Sequence, residues 1–127
     1  MRKYSLFLLL FLSLNFSAQI ITETQKLESL CRIWGFLKYY HPQVAKGNLN
    51  WDKQLFQKID ELESINEKEA LNNFYADWIR NLGEVTPCKE CSVKDNKVYF
   101  LKNFDLSWID NRQIFSRDLS QKLHYIE

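Results

Sequence analysis

Glycine is scarce in this chain of 127 residues, and its scarcity excludes several kinds of active site. Only three glycines occur, at positions 35, 47 and 83. A nucleophile elbow, a phosphate-binding P-loop and a dinucleotide-binding turn each need glycines a few residues apart, because these let the backbone approach a ligand or a nucleophile closely. The sequence therefore gives no support to these three reaction families.

Histidine is equally rare, since His41 and His124 are the only two. Neither lies in a His-Glu-x-x-His helix or in another cluster that could hold a catalytic zinc ion. His41 directly precedes Pro42, so we expect it to end a helix, where a cation is favourable, rather than to act as a base. Acidic residues alternate with apolar ones, as on solvated helix faces, and no carboxylate pair for glycoside hydrolysis stands out. We predict neither a metal ion nor a cofactor.

The sequence also lacks an apolar run long enough to cross a membrane, which takes about 20 residues. The run at residues 6–14 is shorter. It follows two basic residues and precedes small and polar ones, a layout typical of a secretory signal peptide. We therefore predict a signal peptide over residues 1–19, cleaved near Ala18 or Gln19, with an uncleaved N-terminal anchor as the alternative. Cleavage would leave an exported chain, periplasmic or secreted, without a stable membrane span.

Clusters of one charge sign are absent as well, because acidic and basic residues are interspersed and the formal net charge is +1. Loss of Arg2 and Lys3 with the signal peptide brings the net charge to −1. Nucleic-acid binding relies on clustered cations that neutralise phosphates, so no nucleic-acid partner is predicted. Residues 20–127 have the usual length of one domain with a single core.

The three cysteines include no second pair that would complete a four-ligand zinc site. Cys88 and Cys91 form one Cys-x-x-Cys motif after a predicted helix end, whereas a redox motif opens a helix that lowers the thiol pKa. In an exported chain, a local disulfide between Cys88 and Cys91 is the preferred interpretation over catalysis. Cys31 falls in an apolar helical pattern and is predicted to be a small buried side chain.

Apolar residues at three- and four-residue intervals predict three amphipathic helices. The first helix runs from about residue 23 to about residue 40, because Thr22 and Gln25 have the form of a capping box and Pro42 disfavours a helical conformation just before it. Gly35, in the middle of this helix, costs about 1 kcal/mol relative to alanine. We therefore expect another backbone or a large ring to lie close against it.

A loop is predicted over residues 43–50, and the second helix begins at Trp51 with Asn50 as its N-cap. Asn66 is the predicted cap of the third helix, and Gly83 is placed to end that helix in a left-handed conformation.

The last third of the chain is less regular. Residues 98–101 are predicted to form one short strand or an extended segment lying on the helices. Leu106, Trp108 and Ile109 form an apolar anchor, and a last helix starts at about Ser116. The predicted fold is thus mainly α, a small helical bundle of three to five helices with a short extended segment near residues 98–101.

Most aromatic side chains fall at core spacing in these helices. Six of them are therefore predicted to be buried: Trp34, Phe36, Trp51, Phe56, Phe74 and Trp78. Tyr39, Tyr40 and His41 stand at the end of the first helix. They are the best candidates for an exposed binding surface, since aromatic rings stack on sugars and anchor interfaces.

One stretch also carries a family resemblance. The run LCRIWGFLKYYHP at residues 30–42, continued by VAKG at 44–47 and NWD at 50–52, resembles the helical region after the signal peptide of exported S41-family serine peptidases of the Bacteroidetes type. These are relatives of the C-terminal processing, or tail-specific, proteases. The segments WI at 78–79 and DLSWI at 105–109 resemble the continuation of that region. The resemblance covers roughly residues 25–126.

The resemblance implies peptide-bond hydrolysis by a serine that a lysine activates, both on a downstream α/β catalytic domain, often with a PDZ-like module that captures substrate termini. No serine or lysine of this sequence matches that catalytic motif, so no catalytic residue is assigned. We therefore expect a non-catalytic N-terminal helical domain, inactive alone, that packs against or positions a downstream or separately encoded protease domain and its peptide substrate. The alternative is a self-contained exported binding module that holds a peptide or glycan through Tyr39, Tyr40 and His41.

Overall fold

A computed structural model describes residues 19–85 and 105–127 of the chain. These residues form five α-helices and one 3-10 turn. The elements are α1 (Glu23–Tyr40), α2 (Pro42–Ala45), α3 (Trp51–Leu62), α4 (Lys68–Leu82), the 3-10 turn Ser107–Asp110 and α5 (Arg117–Ile126). The predicted mainly α helical bundle is confirmed. The predicted signal peptide up to residue 18, the extended segment at 98–101, and Cys88 and Cys91 lie outside the described residues.

The first helix begins and ends where the sequence predicts. The Thr22 side chain accepts a hydrogen bond from the Gln25 backbone, and the Gln25 side chain accepts one from the Thr22 backbone at 3.0 Å, so the capping box is complete. Helix α1 ends because His41, before Pro42, adopts an extended conformation. The prediction of a loop over the whole of residues 43–50 is wrong, since Pro42 opens the short helix α2 immediately afterwards.

The next two helices also follow their local signals, with one shift. Asn50 caps α3, and its side-chain oxygen accepts a hydrogen bond from the Lys53 backbone at 3.0 Å. Asn66 is not the cap of α4: the cap position belongs to Glu67, without a side-chain hydrogen bond. The Asn66 carbonyl instead accepts from the Ile21 backbone, so the segment before α1 pairs with the start of α4. Gly83 ends α4 with a positive φ of 104°, although its extended ψ differs from the predicted left-handed helical conformation.

The core lies between α1, α4, α5 and the 3-10 turn, with contributions from the ends of α3. Tyr75 of α4 is fully buried at its centre. Its hydroxyl makes a 2.8 Å hydrogen bond with the Ser29 hydroxyl and donates to the Lys26 carbonyl at 3.3 Å. Burial raises the pKa of the Tyr75 phenol, so the group remains a neutral donor. The Ser29 side chain and the Lys26 backbone carbonyl of α1 therefore fix the position of α4.

A buried ammonium group joins α1 to α3. The Lys26 side chain is fully enclosed, and its Nζ lies 3.4 Å from the Leu62 carbonyl and 3.5 Å from the Glu63 carbonyl. It also forms an ion pair with Glu23 at 2.6 Å. Carbonyl groups at the C-terminal end of a helix carry partial negative charge and lack intrahelical partners. Lys26 therefore satisfies the end of α3 from the neighbouring helix.

The burial predictions for the aromatic residues are correct for three of the six. Phe36, Trp51 and Trp78 are buried, while Trp34 and Phe74 are half-buried against the core. Phe56 is the clear error, because 66 % of its surface is exposed. Helix α3 contributes Trp51 and Leu62 to the core, and its outer side carries Phe56. Among the described residues, no helix is long and apolar enough to span a membrane.

Replacing Lys26 tests this arrangement. Lys26→Ala removes the cation from the α3 carbonyls and leaves a cavity, so we expect the free energy of unfolding to fall by about 2–4 kcal/mol. Lys26→Met keeps most of the volume and should lose less. Urea denaturation followed by circular dichroism measures both, with the exposed Lys122→Ala as the control. A Lys26→Ala protein as stable as the control would show that the buried lysine does not hold the helices together.

Candidate functional site

Helix α1 has a second apolar face that points away from the core. Leu27, Cys31, Gly35 and Tyr39 follow one another at intervals of four, so they form one ridge along the helix. Leu27 is 46 % exposed and Tyr39 is 68 % exposed, and Cys31 is an exposed free thiol. The prediction of a buried Cys31 is therefore wrong. The core side of α1 is set by Leu30 and its neighbours, and Cys31 lies about 100° further round the helix.

A shallow groove runs beside this ridge and is called the α1 groove below. It is lined by one side of α1 between Cys31 and Tyr40 and by Asp105, Leu106 and Trp108, and its volume is about 200 Å³. Its wall is aromatic: Phe36 stacks on Tyr40 with ring centroids 4.7 Å apart, and Trp108 meets Phe36 edge-on at 6.0 Å. The groove is therefore a mainly apolar surface with rigid sides.

Gly35 lines the α1 groove, and no described residue supplies the close backbone or ring that the sequence predicts for it. Within residues 19–85 and 105–127, a side-chain Cβ built at this position would meet no atom within 4 Å. Glycine inside a helix costs about 1 kcal/mol relative to alanine, and here no contact within the described part of the chain requires it. The missing side chain leaves room in the groove for a group from outside these residues.

The three residues predicted as an exposed binding surface do not form one. Tyr39 is exposed, as predicted, whereas Tyr40 is half-buried in its stack with Phe36. His41 is completely buried, so its predicted exposure is wrong. The chain turns into α2 directly after α1, and this turn encloses the imidazole. Only Tyr39 of the three contributes to the ridge.

The His41 imidazole is neutral and caps α2 at the turn between α1 and α2. The sequence predicts instead a cation at the end of α1. Its Nδ1 accepts a hydrogen bond from the Gln43 backbone at 3.3 Å, which caps α2 and requires an unprotonated Nδ1. Nε2 makes no hydrogen bond of good geometry with any described residue. Burial lowers the pKa of His41 from its ordinary value of 6.5, and the nearby Gly83 backbone partly opposes this shift.

Helix α1 contains a lysine and a serine three residues apart, the residue types that the resemblance implies for catalysis. Their contacts show that both hold the fold together. Lys26 and Ser29 are both buried on adjacent turns. The Ser29 hydroxyl contacts Tyr75 and the Lys26 carbonyl, while the Lys26 ammonium contacts the end of α3. His124 lies at the surface between Asp110 and Glu127, at 3.1 and 3.2 Å. Within residues 19–85 and 105–127, no group of three or more potential ligands could hold a metal ion.

Comparison with known proteins gives no assignment, because no protein-family model, curated protein or solved structure matches this chain. The candidate site therefore depends on the geometry of α1. Sequence periodicity did not predict the exposed ridge, because apolar residues occur on nearly every side of α1. The repeated spacing of four from Leu27 to Tyr39, through a cysteine and a glycine, was the available signal.

The neutral state of His41 predicts a pH dependence of stability. The folded pKa lies below 6.5, so the unfolded chain binds more protons between the two values, and stability rises with pH in that window. We expect the contribution to be fully present above pH 6.5 and to fall as the pH drops below it, by at most about 1.4 kcal/mol per pH unit.

Urea denaturation in a His124→Gln background isolates this effect, because His41 is then the only histidine. The matched control is the same background with His41→Gln, in which the pH dependence around 6.5 should disappear. Stability that increases on acidification through this range in the His41 protein would contradict a buried neutral imidazole.

Proposed function

We propose that this chain is the non-catalytic N-terminal helical domain of an S41-like serine peptidase, and that its α1 groove packs against and positions the protease domain. The observation that carries the proposal is the α1 groove itself. It is an apolar surface lined in part by Gly35, a helix glycine that no contact among the described residues requires. No described residue covers it. Exposed apolar surface of this kind is typical of protein contact sites.

The residues that carry the resemblance support this proposal because they form one structural unit. The Trp34 indole donates to the Trp51 carbonyl at 3.0 Å, and the Trp51 indole donates to the Trp34 carbonyl at 3.2 Å. This reciprocal pair holds α1 against the start of α3. The inner side of the unit belongs to the core and its outer side to the α1 groove. A domain of this design supplies a surface, while hydrolysis depends on residues of the catalytic domain.

The dimensions of the groove favour a protein surface over a small ligand. Small-molecule sites usually enclose about 300–1,000 Å³, whereas the α1 groove is an open trough of about 200 Å³. Such a trough fits one or two apolar side chains of a partner, and the space at Gly35 admits close approach. Arg32, which pairs with Glu28 at 2.8 Å, and Asp105, which accepts from the Ser107 backbone, also line the groove, so its rim is polar as at protein contacts.

A self-contained exported module that binds a peptide or glycan is the second candidate function. The exposed ring of Tyr39 favours it, since a flat aromatic face can stack on a sugar or a peptide side chain. Tyr40 and His41 no longer contribute to this alternative, because Tyr40 is half-buried and His41 is enclosed.

The proposal is tested by combining this chain with the S41-like catalytic domain that it requires, encoded in frame with the chain or beside it. We expect the two to co-elute on size exclusion. Cys31→Glu combined with Tyr39→Glu places charges on the ridge without touching the core, and it should weaken the complex by at least about tenfold in Kd.

Phe56→Glu combined with Ile59→Glu is the matched control, because it introduces the same two charges at exposed apolar residues on α3. This variant should bind as the unmodified chain does. Peptide hydrolysis by the catalytic domain, measured with and without the chain, reports positioning. A gene neighbourhood without any such domain, or a complex that the ridge variant leaves intact, would count against the proposal. Binding of a peptide or glycan lost only with Tyr39→Ala would favour the second candidate.

A further inference from the structure

A second concave surface lies away from the α1 groove, where α2, α3 and α4 meet. It has a volume of about 480 Å³, within the range of small-molecule sites. Five amide side chains line it, and we call it the amide cleft. They come from α2, the loop before α3, α3 and α4: Gln43, Asn48, Gln54, Gln57 and Asn81.

Most of these amides are not used by the fold. The Gln43 oxygen accepts a hydrogen bond from the Lys46 ammonium at 2.9 Å. The side chains of the other four make no hydrogen bond with another residue in the described part of the chain. Each amide offers two N–H donors and a carbonyl acceptor. Several elements thus place amide donors and acceptors that no described residue uses around one concavity.

A buried tryptophan in the wall adds a donor that has no hydrogen-bond partner among the described residues. Trp78 lines the amide cleft and is only 3 % exposed, yet its Nε1 makes no hydrogen bond with any described residue. A buried donor without an acceptor costs about 1–3 kcal/mol, so such groups need an explanation. The ring is otherwise well held, because Trp51 stacks on it at 5.3 Å and the Lys58 ammonium lies 5.8 Å from its centroid.

The charge of the cleft limits its ligand. Lys58 and Glu61 both line it, and they form an ion pair with each other at 2.5 Å. Among its described lining residues, the site therefore offers no unpaired cation for a phosphate or carboxylate. Its apolar contribution beyond Trp78 is limited to Leu49 and Leu82, which gives little surface for the side chains of a peptide.

We propose that the amide cleft binds a neutral saccharide through hydrogen bonds between its amide side chains and the sugar hydroxyls. A hydroxyl both donates and accepts, as an amide does, so a polyhydroxyl ligand satisfies groups of both kinds at once. The site is separate from the α1 groove, and neither proposal depends on the other. A protein that positions a protease domain with one surface would in this way hold a glycan with another.

Nuclear magnetic resonance titration of the ¹⁵N-labelled chain tests this inference, with cellobiose and N,N′-diacetylchitobiose as probes. We expect shifts of the Trp78 indole and of the Gln57 and Asn81 side-chain amides, with a Kd of about 1 mM for at least one sugar. The indole N–H of Trp34 already donates to the Trp51 carbonyl, so its resonance should move less.

Variants separate the cleft from general surface effects. Asn81→Ala and Gln57→Ala should each raise the Kd by about fivefold, the effect of one hydrogen bond. Asn73→Ala is the matched control, because Asn73 is also an exposed amide on α4 but does not line the amide cleft. Unchanged spectra at about ten times the expected Kd, or equal binding by the Asn81 and Asn73 variants, would overturn the proposal. Stronger shifts with triglycine amide would identify a peptide site and overturn it as well.

Discussion

The inward orientation of Lys26 and Ser29 on α1 is the constraint on which the rest of the described structure depends. Lys26 reaches the end of α3, and Ser29 reaches the hydroxyl of Tyr75 on α4. A buried ammonium group is costly unless its partners are well placed, so this contact tolerates little rotation of α1. Successive residues are about 100° apart on a helix. The orientation of α1 that points Lys26 and Ser29 inward therefore points Leu27 and Cys31 outward.

Local signals in the sequence predicted the helices well, because caps and proline act on neighbouring backbone groups. The capping box at Thr22, the N-cap at Asn50 and the stop at Pro42 each involve contacts within three residues and do not depend on tertiary structure. The position of α4 was predicted one residue too early, since Asn66 pairs with Ile21 and does not cap the helix. That pairing joins residues far apart in the sequence.

The functional side chains were harder to predict for a related reason. Apolar residues lie on nearly all sides of α1, so periodicity alone could not decide which side faces the core. Lysine side chains are rarely buried in proteins, and no nearby residue in the sequence indicated that Lys26 would lie on the core side of α1. With Lys26 on the buried side, Cys31 lies on the exposed side of α1, contrary to prediction. His41 was misjudged similarly, because the short helix that encloses it follows Pro42 without a loop.

The two surfaces of the domain differ in chemistry and suit different partners. The α1 groove is apolar and shallow, and its glycine has no role within the described residues, which favours a protein partner. The amide cleft is polar and larger, and its amides, most of which bond to no other described residue, favour a neutral hydroxylated ligand. Both surfaces belong to helices held in place by the same core.

The reactivity of the Cys31 thiol tests the central claim, that the outer face of α1 is a docking surface, most directly. In a Cys88→Ser, Cys91→Ser background Cys31 is the only cysteine, so its alkylation rate can be followed by mass spectrometry. The account predicts rapid alkylation in the isolated chain and at least about tenfold slower alkylation when the S41-like catalytic domain is bound. A thiol that is protected in the isolated chain, or one that stays equally reactive in the complex, would contradict it.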